Sequence, residues 1–544
     1  MRDFCVIIPA IKKNVAFADD LVKKLDGISL IQRAINKAKS ITPAENIFVV
    51  TDSEEISVIS ERNEINYYYE KTLKLEWQKL FSTLKLPILQ ISKKYRAIII
   101  LSAYVPLVSA DEIQQAYLTY QESGCQALVT IQNETRNIFA NNGFDLLNFL
   151  TISGSQSYFV ESKAFLIINS KSLCDIYGSY INVCPYVLSS QCFEIRNYTD
   201  WWICEKILRR KRIVFRVIGF TEVGMGHIFR TLALAHEISD HEIRFVCDEQ
   251  SSMAVNVIAG YDYLVEVYPK QAIEDRMIEL RPHMIINDIL DTDAGYIRKL
   301  KSHGIKVVNF EDLGSGAPLA DMTINELYDN PVLEGKSIRW GYKYFFLRDE
   351  FASATPHKFS KSVTGLLITF GGTDQNNYTL LTLQSVIDFC KISNIRIFVV
   401  VGSGYPYLTK LKQYIDSVVY KNIEFTSATG VISKIMEKTQ FAITSNGRTT
   451  YELAHMNIPA IVIAQHDRES THDFACKENG FINIRLRKGE VIGHEVQDYL
   501  LKMVKDEDYR RLLYNNISRF NFTRNKHRVV TSILGVFGRK SSAQ

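Results

Sequence analysis

Short apolar runs alternate along the whole chain with stretches in which apolar residues recur every three or four positions. Runs of this length, bounded by turn residues, are typical of buried strands, and the amphipathic stretches between them predict helices. The runs that we interpret as strands are residues 5–10, 46–52, 96–101, 127–131, 213–218, 241–247, 284–288, 305–312, 366–370, 397–402, 441–445 and 458–464. This alternation predicts an α/β fold made of parallel sheets with helices on both faces.

The chain of 544 residues is too long for a single hydrophobic core, and roughly three or four domains are expected. We predict one α/β domain over residues 1–208 and two Rossmann-like domains over 213–357 and 358–544, the last with C-terminal helices. The short basic run at 208–212 is interpreted as a solvated linker between the first domain and the second.

One stretch carries a chemical signal, because a strand at 213–218 leads through a glycine turn into a helix. The turn, Gly224-Met225-Gly226, lets the backbone approach a ligand closely, and the free N–H groups of the helix N-terminus favour a phosphate. His227 follows at the mouth of the turn, where the helix dipole favours a neutral imidazole that accepts a proton. Arg230, one helical turn on, is predicted to add positive charge toward a diphosphate. A histidine that only caps the turn is the structural alternative for His227.

A second glycine turn follows the strand at 366–370, in the sequence Gly371-Gly372-Thr373-Asp374. Asn377 then leads a helix whose N-terminus is predicted to face the same cleft.

Two further residues have a chemical and a structural interpretation each. Asp288 ends the strand at 284–288, at the sheet edge where α/β folds bind ligands, and capping a helix is its alternative role. His466 lies in a polar loop and is interpreted as a solvated residue, with acid/base chemistry as the alternative.

Composition and charge narrow the function. Apolar residues make up 46% and charged residues 23% of the chain, which is ordinary for a soluble globular protein, and the net charge of +4 gives no reason to expect nucleic-acid binding. The nine cysteines include no Cys-x-x-Cys pair, so reduced thiols are expected and a zinc site is not. No apolar run approaches the length of a membrane span, and no signal peptide is visible. We expect a cytoplasmic protein with no metal and no cofactor.

The motif from Gly224 through His227 and Arg230 to Ala235 resembles the opening motif of the nucleotide-sugar hydrolases of pseudaminic acid biosynthesis. That family shares the two-Rossmann, GT-B-type architecture of the UDP-N-acetylglucosamine transferase of peptidoglycan assembly. The resemblance implies a GT-B arrangement for residues 213–544 and a catalytic-base role for His227.

The same resemblance implies contacts in the second Rossmann-like domain. Gly447 and Thr449 would lie at the diphosphate, and Glu452 would bind the ribose hydroxyls, with a solvated helix glutamate as the alternative. The chain departs from the family at Ile218, where an aspartate is expected. It also departs at Arg468-Glu469, where the family has an Asn-Gln pair that holds the sugar.

The first 208 residues resemble the sugar-acid cytidylyltransferases, which make CMP-activated sialic acids. The matching motifs are Ile8-Pro9-Ala10, Gly27 with Leu30-Ile31, Val50-Thr51-Asp52-Ser53, Pro106-Leu107, Asp200-Trp201 and Glu205.

The chain departs from that family at the residues that bind the triphosphate and the metal ion. A bulky loop at 11–15, followed by Asp19-Asp20, stands where the family binds the triphosphate, and Glu194-Ile195-Arg196 stands where it has a metal-binding Asp-x-Asp pair. We interpret this domain as a degenerate cytidylyltransferase-like domain. Replacement of the lost basic loop by nearby lysines is the alternative, and these are Lys12, Lys13, Lys23 and Lys24.

These features predict hydrolysis of a UDP-activated di-N-acetylated deoxysugar, with release of UDP, in the synthesis of a pseudaminic- or legionaminic-type surface sugar. The expected partners are the UDP-sugar and pathway enzymes that dock on the N-terminal domain. The alternatives are a glycosyltransferase that uses a UDP-sugar, CMP-sugar synthesis by the N-terminal domain, and a binding or assembly protein in which both sites are degenerate.

Overall fold

The structure is a computed structural model, and it describes residues 2–12, 17, 19–73, 91, 94–134, 158–173, 182–188, 192, 194–220, 226–486 and 490–538. The chain divides into two compact units, Met1–Arg210 and Lys211–Gln544.

The first unit is built on a seven-stranded sheet in the order β5-β4-β1-β6-β8-β7-β9, with a separate hairpin of β2 and β3. Its strands are β1 (Arg2–Ala10), β2 (Lys24–Leu25), β3 (Ile28–Ser29), β4 (Ile47–Thr51), β5 (Asn66–Tyr69), β6 (Tyr95–Leu101), β7 (Ala127–Glu134), β8 (Tyr158–Asn169) and β9 (Val183–Val187). Its α-helices are α1 (Leu30–Ile41), α2 (Glu54–Arg62), α3 (Ala110–Ser123) and α4 (Tyr198–Arg209).

The prediction of an entirely parallel sheet was wrong for this unit. Strands β1, β4, β5 and β6 are parallel, but β8 runs antiparallel to both β6 and β7. The predicted strands did not include β8. It follows β7 in the chain and lies between β6 and β7 in the sheet, antiparallel to both.

The second unit contains two sheets. The first consists of β10 (Arg212–Val217), β11 (Glu242–Asp248), β12 (Val265–Tyr268), β13 (Met284–Asp288), β14 (Lys306–Phe310), β15 (Met322–Asn325) and β16 (Ile338–Trp340). Its α-helices are α5 (Gly226–Glu237), α6 (Ser252–Ala259), α7 (Ile273–Glu279) and α8 (Ala294–Ser302).

The second sheet consists of β17 (Gly365–Thr369), β18 (Arg396–Val401), β19 (Ile423–Ser427), β20 (Phe441–Thr444), β21 (Ala460–Ile463) and β22 (Phe481–Arg485). The α-helices of this half are α9 (Tyr378–Ile392), α10 (Leu408–Ser417), α11 (Ser433–Met436), α12 (Thr449–His455), α13 (Asp467–Ser470), α14 (Glu490–Lys505), α15 (Glu507–Ile517) and α16 (Asn525–Leu534).

The two sheets repeat one topology. Their orders are β12-β11-β10-β13-β14-β15-β16 and β19-β18-β17-β20-β21-β22, and the paired strands are parallel. In each sheet the first strand lies in the interior, and the later strands are added first on one side of it and then on the other. The point at which the strand order reverses opens a crevice at the carboxyl ends of the strands. The α/β fold class predicted from the sequence is confirmed, and this unit has two Rossmann-like sheets in a GT-B arrangement.

The last helix ties the two halves of the second unit together. The chain leaves the second sheet and returns to the first, where Val529 and Ile533 of α16 pack into the core formed by β10 and α5. A second apolar cluster combines side chains of both halves, such as Tyr328 and Phe345 with Tyr451 and Phe474.

We expect Ile533→Ala to lower the free energy of unfolding by roughly 2–5 kcal/mol, because it removes a side chain buried at the junction of the two halves. Ile392→Ala is the matched control, since Ile392 is 86% exposed, and it should change stability by less than about 0.5 kcal/mol. Urea unfolding of both variants measures the difference, and equal losses would contradict the docking of α16 on the first half.

Candidate functional site

A cavity of about 600 Å³ lies between the two sheets of the second unit. Its lining residues come from the segments that follow the strands, after β10, β13 and β14 on one side and after β17, β18, β20 and β21 on the other. Since parallel strands end at the same edge of a sheet, these segments converge on one crevice.

Most of the predicted site residues line this cavity. They are Gly226, His227, Gly371, Gly372, Thr373, Gly447, Thr449, Glu452, Arg468 and Glu469. Arg230, Asp288, Asp374 and Asn377 do not line it, and Gly224 lies outside the described residues.

His227 is held by a carboxylate beneath the cavity wall. It is the second residue of α5 and is 5% exposed, and its Nδ1 makes a short hydrogen bond to Oδ1 of Asp288. A carboxylate that accepts the Nδ1 proton selects the tautomer in which Nε2 accepts a proton. The ring is therefore suited to take a proton from a molecule in the cavity. The ring is thereby held against the end of β13.

Asp288 is fully buried at the end of β13 and acts on the cavity only through His227. Burial opposes its ionisation, but Arg230 and His227 outweigh that effect and hold its pKa below the usual value. It neither contacts the cavity nor caps a helix, and both predicted roles are corrected. Asp293 caps α8, where its carboxylate accepts from the N–H of Gly295 at 2.6 Å.

Arg230 is placed differently from the sequence-based prediction. It lies one turn after His227 on the inward face of α5 and is 1% exposed. Its guanidinium donates to Asp288 at 2.7 Å, to Glu311 at 2.8 Å and to Glu326 at 2.9 Å. Burial opposes its charge, but the carboxylates raise the pKa of Arg230 overall. Its hydrogen-bond donors are directed at these acids and not toward a diphosphate.

A second guanidinium reaches the same acids from the other half of the unit. Arg448 contacts Glu326, donates to the carbonyl of Phe346 at 3.0 Å, and lies over the ring of Phe345. Burial and the nearby Arg230 lower its pKa to about 10. A Cβ on Gly226 would lie 3.3 Å from Cδ of Arg448, so the glycine gives this side chain room to pass.

These residues form one carboxylate–guanidinium cluster, which consists of Asp288, Glu311, Glu326, Arg230 and Arg448. It contains one more acid than guanidinium. The cluster therefore carries a net negative charge directly beneath the wall of the cavity.

The second glycine turn approaches β18 closely. Gly371 has a φ of +78°, and a Cβ on Gly402 would lie 2.3 Å from the carbonyl oxygen of Gly372. A side chain at position 402 would therefore collide with the backbone of this turn, and Gly371, Gly372 and Gly402 all line the cavity.

Asp374 and Asn377 complete this turn and do not line the cavity. The Asp374 carboxylate accepts from the N–H groups of Tyr378 and Thr379, at 2.9 and 2.8 Å, and Asn377 accepts from the hydroxyl of Tyr405. We predicted that the N-terminus of α9 faces the cleft as an anion site. This prediction is corrected, because the protein's own carboxylate already occupies those N–H groups.

Glu452 lies on α12, which begins at Thr449, and both residues line the cavity. Glu452 is buried and accepts from Nε of Arg348 at 3.0 Å, so the alternative of a solvated surface residue is wrong. Arg348 also pairs with Glu350 at 2.9 Å.

Arg468 crosses from the second half to the first, where it donates to Asp291 at 3.0 Å and to the carbonyl of Glu311. Glu469 stays in its own half, and its Oε2 accepts from the N–H of Gln465 at 2.9 Å. His466 is exposed at the rim and caps α13, since its Nδ1 accepts from the N–H of Glu469.

Several lining residues were missed from the sequence, and they are Glu311, Arg348, Arg448, His472, Phe229, Val257, Tyr261, Leu290 and Leu327. Glu311 directly follows β14, and Arg448 stands inside the Gly447-x-Thr449 motif, so both had a local signal. Phe229 also lies inside a quoted motif, between His227 and Arg230, but its apolar side chain gave no signal of ligand contact.

In the first unit, two of the four lysines considered as a replacement for a triphosphate-binding loop have partners within the unit. The ammonium group of Lys12 pairs with Asp19 at 2.9 Å and Glu55 at 3.0 Å. Lys23 lies over the rings of Phe17, Tyr198 and Trp201, at 4.6–5.6 Å. Lys13 lies outside the described residues.

The residues at the family's metal position are also paired. Glu194 forms an ion pair with Lys163 at 3.2 Å, and Arg196 lies 3.5 Å from Asp200. Among the residues that the structure describes, no group of three or more His, Cys, Asp or Glu side chains is placed to hold a metal ion. Within the same residues, no helix combines the length and the apolar character needed to cross a membrane.

No protein-family model matches the chain. It is 26% identical over 305 residues to an uncharacterised protein of Methanocaldococcus jannaschii, and the match covers 52% of this chain and 61% of that protein. It is 23% identical over 297 residues to the spore coat polysaccharide biosynthesis protein SpsG of Bacillus subtilis, over 53% of this chain and 86% of SpsG. It is 25% identical over 283 residues to the UDP-2,4-diacetamido-2,4,6-trideoxy-β-L-altropyranose hydrolase of Campylobacter jejuni, over 49% of this chain and 97% of the hydrolase.

Two solved structures show the extent of the structural likeness. MurG of Acinetobacter baumannii matches with a TM-score of 0.42 and 12% identity, over 60% of this chain and 99% of that one. A CMP:2-keto-3-deoxy-manno-octonic acid synthetase in complex with CTP matches with a TM-score of 0.31 and 7% identity, over 38% of this chain and 98% of that one. Because these scores are low, the fold assignment rests on the strand order and not on them.

We expect Arg230→Met to lower the free energy of unfolding by about 3–5 kcal/mol at neutral pH, because it leaves Asp288, Glu311 and Glu326 facing one another without their shared cation. Arg276→Met is the matched control, since Arg276 pairs with Glu279 on the surface, and it should leave the stability nearly unchanged. Chemical denaturation measures both.

The pH dependence of the Arg230→Met loss has a defined sign. In the unaltered protein the pKa values of Asp288 and Glu311 lie below the usual 3.8 and 4.5, so their contribution is present above those values and is lost in acid. Without Arg230, burial raises both pKa values, and the variant's deficit should shrink as the pH falls from neutral toward about 4. A deficit independent of pH would contradict the electrostatic origin.

Proposed function

We propose that the second unit hydrolyses a UDP-activated di-N-acetylated deoxysugar and releases UDP, in the synthesis of a pseudaminic- or legionaminic-type sugar for surface glycans. The observation that carries the proposal is the His227–Asp288 pair at the wall of a cavity with two glycine turns. The names of two relatives support it, since one is a hydrolase of a UDP-diacetamido-trideoxy sugar and the other belongs to spore coat polysaccharide biosynthesis.

In the proposed reaction a water molecule attacks the anomeric carbon while the bond from that carbon to the phosphate oxygen breaks. Nε2 of His227 takes the proton of the water, and Asp288 stabilises the imidazolium. UDP leaves with the bonding electron pair, and backbone N–H groups at Gly371-Gly372 and Gly447 stabilise the charge on its diphosphate. Glu452 accepts hydrogen bonds from the ribose hydroxyls, and the imidazolium returns its proton to solvent.

We expect His227→Ala to reduce turnover of the UDP-sugar by at least about a hundredfold, because it removes the proposed base, while UDP binding changes little. His303→Ala is the control, since His303 is exposed on the same half of the unit. UDP release measures turnover, and calorimetry measures UDP binding. A His227→Ala protein with full activity would refute the assignment.

A glycosyltransferase is the second candidate, and one observation favours it. Tyr261 is 52% exposed and lines the cavity beside Phe229 and Val257. A partly exposed aromatic ring of this kind suits stacking against a second sugar. UDP release that requires an added acceptor, with none in water alone, would select the transferase.

For the first unit we propose a cytidylyltransferase-like fold without nucleotidyl transfer, which serves docking of pathway enzymes. The internal ion pairs of Lys12 and Glu194 support this proposal. We also propose domain boundaries at 1–208, 213–357 and 358–544, and the division between Arg210 and Lys211 supports the first of them.

Calorimetric titration of the full chain with UDP and with CTP plus Mg²⁺ tests the two sites together. We expect heat of binding from UDP and none from CTP, because Lys12 is paired with acids of the first unit and Lys23 lies over its aromatic rings. Release of pyrophosphate from CTP in the presence of a sugar acid would overturn the proposal for the first unit and move the function to CMP-sugar synthesis.

A further inference from the structure

Glu469 stands at the point of the cavity where a diphosphate would lie. It follows β21 on the short helix α13 and lines the cavity. One carboxyl oxygen is fixed by the N–H of Gln465 at 2.9 Å. The other lies 3.5 Å from the position that a Cβ on Gly447 would take. Glu469 therefore overhangs the backbone at Gly447, which is the element proposed to hold the diphosphate.

The other carboxylates of the cavity wall have cationic partners. Glu311 pairs with Arg230, and Glu452 pairs with Arg348. Among the described residues, no lysine or arginine nitrogen lies within ion-pair distance of Glu469. Its neighbour Arg468 is directed instead toward Asp291 and the carbonyl of Glu311.

Two backbone hydrogen bonds, from Gln465 and Asn446, favour the ionised form of Glu469, but burial and the nearby acids oppose it more strongly. Asp374 after β17 and Glu311 after β14 both disfavour its ionisation, and Tyr378 of α9 also lies within its electrostatic reach. The two nearby imidazoles bind backbone groups, since His466 accepts from the N–H of Glu469 and His472 contacts the carbonyl of Asn446. Burial, together with these acids, raises the pKa of Glu469 to about 7.

An ionised carboxylate at this place would repel a diphosphate, whereas a protonated carboxyl donates a hydrogen bond to a phosphate oxygen. We propose that Glu469 binds the nucleotide in its protonated form, as a hydrogen-bond donor to the diphosphate, so that nucleotide affinity depends on the protonation of this one side chain. This inference rests on the proposed function of the cavity as a UDP-sugar site.

The proposal predicts how affinity changes with pH. The binding-competent fraction of the protein falls about tenfold between pH 6 and pH 8 for a group that titrates near 7, and the apparent affinity falls with it. Glu469→Gln keeps the shape and the hydrogen-bond donor without the charge. The variant should therefore lose this tenfold component and bind UDP more tightly than the unaltered protein at pH 8.

The test is calorimetric titration of the full chain with UDP at pH 6, 7 and 8, for the unaltered protein, Glu469→Gln and Glu478→Gln. Glu478 is an exposed glutamate of the same half, so its variant should follow the unaltered protein. UDP also has a titratable phosphate, but its contribution is the same for all three proteins, and the difference between them reports Glu469. Parallel pH profiles for the unaltered protein and Glu469→Gln would overturn the proposal.

A second measurement keeps the test decisive if Glu469→Gln does not fold. Titration of the unaltered protein at pH 8 in two buffers of different ionisation enthalpy gives the number of protons taken up with UDP. We expect uptake of about one proton for a group that must be protonated to bind, and no uptake would overturn the proposal. Absence of UDP binding at every pH would instead refute the function proposed for the cavity. UDP binding that shows neither the pH difference between the variants nor the proton uptake would refute only the role of Glu469.

Discussion

The second unit depends on the buried carboxylate–guanidinium cluster beneath its cavity. Three acids at or just beyond the ends of β13, β14 and β15 are withdrawn from water, and this is tolerated only because cations reach them with good geometry. Arg230 comes from α5 of the same half and Arg448 from the other half. The cluster thus fixes α5 against its own sheet and one half against the other.

The proposed catalytic pair takes its position from this cluster. The carboxylate of Asp288 accepts hydrogen bonds from both the imidazole of His227 and the guanidinium of Arg230. The buried Asp288 therefore orients the His227 ring, which lines the cavity. His227 is thus accessible to a substrate in the cavity, while the carboxylate–guanidinium cluster that holds it is buried away from solvent. Glycines at 226 and 402 complete the arrangement, because a side chain at either position would crowd Arg448 or the backbone of Gly372.

In the first unit, several charged side chains are paired with groups of the same unit. Its central strands keep a parallel arrangement, but Lys12, Lys23 and Glu194 are occupied by partners of the same unit. An internally paired lysine has little positive charge left to offer a triphosphate. The second unit differs in this respect, since the carboxylate of Glu469 has no cationic partner among the described residues.

Local patterns in the sequence predicted strands β10, β11, β13, β14, β17, β18, β20 and β21 of the second unit, the glycine turns at 226 and 371–372, and His227 as the residue at the cavity wall. The strands follow from the spacing of apolar residues, and the glycine turns from residues that permit close backbone approach. The place of His227 follows from its position at the start of a helix. The sequence did not reveal β8, because its pairing depends on distant strands.

The roles of Arg230, Asp288 and Asp374 were decided only by the tertiary structure. Each is a charged residue beside a motif, and local sequence makes such a residue a candidate for ligand contact. Which groups bury it, and how many of its hydrogen bonds they take, depends on strands brought together from far along the chain. Arg230 is the clearest case, because the three carboxylates that enclose it lie 58 to 96 residues away.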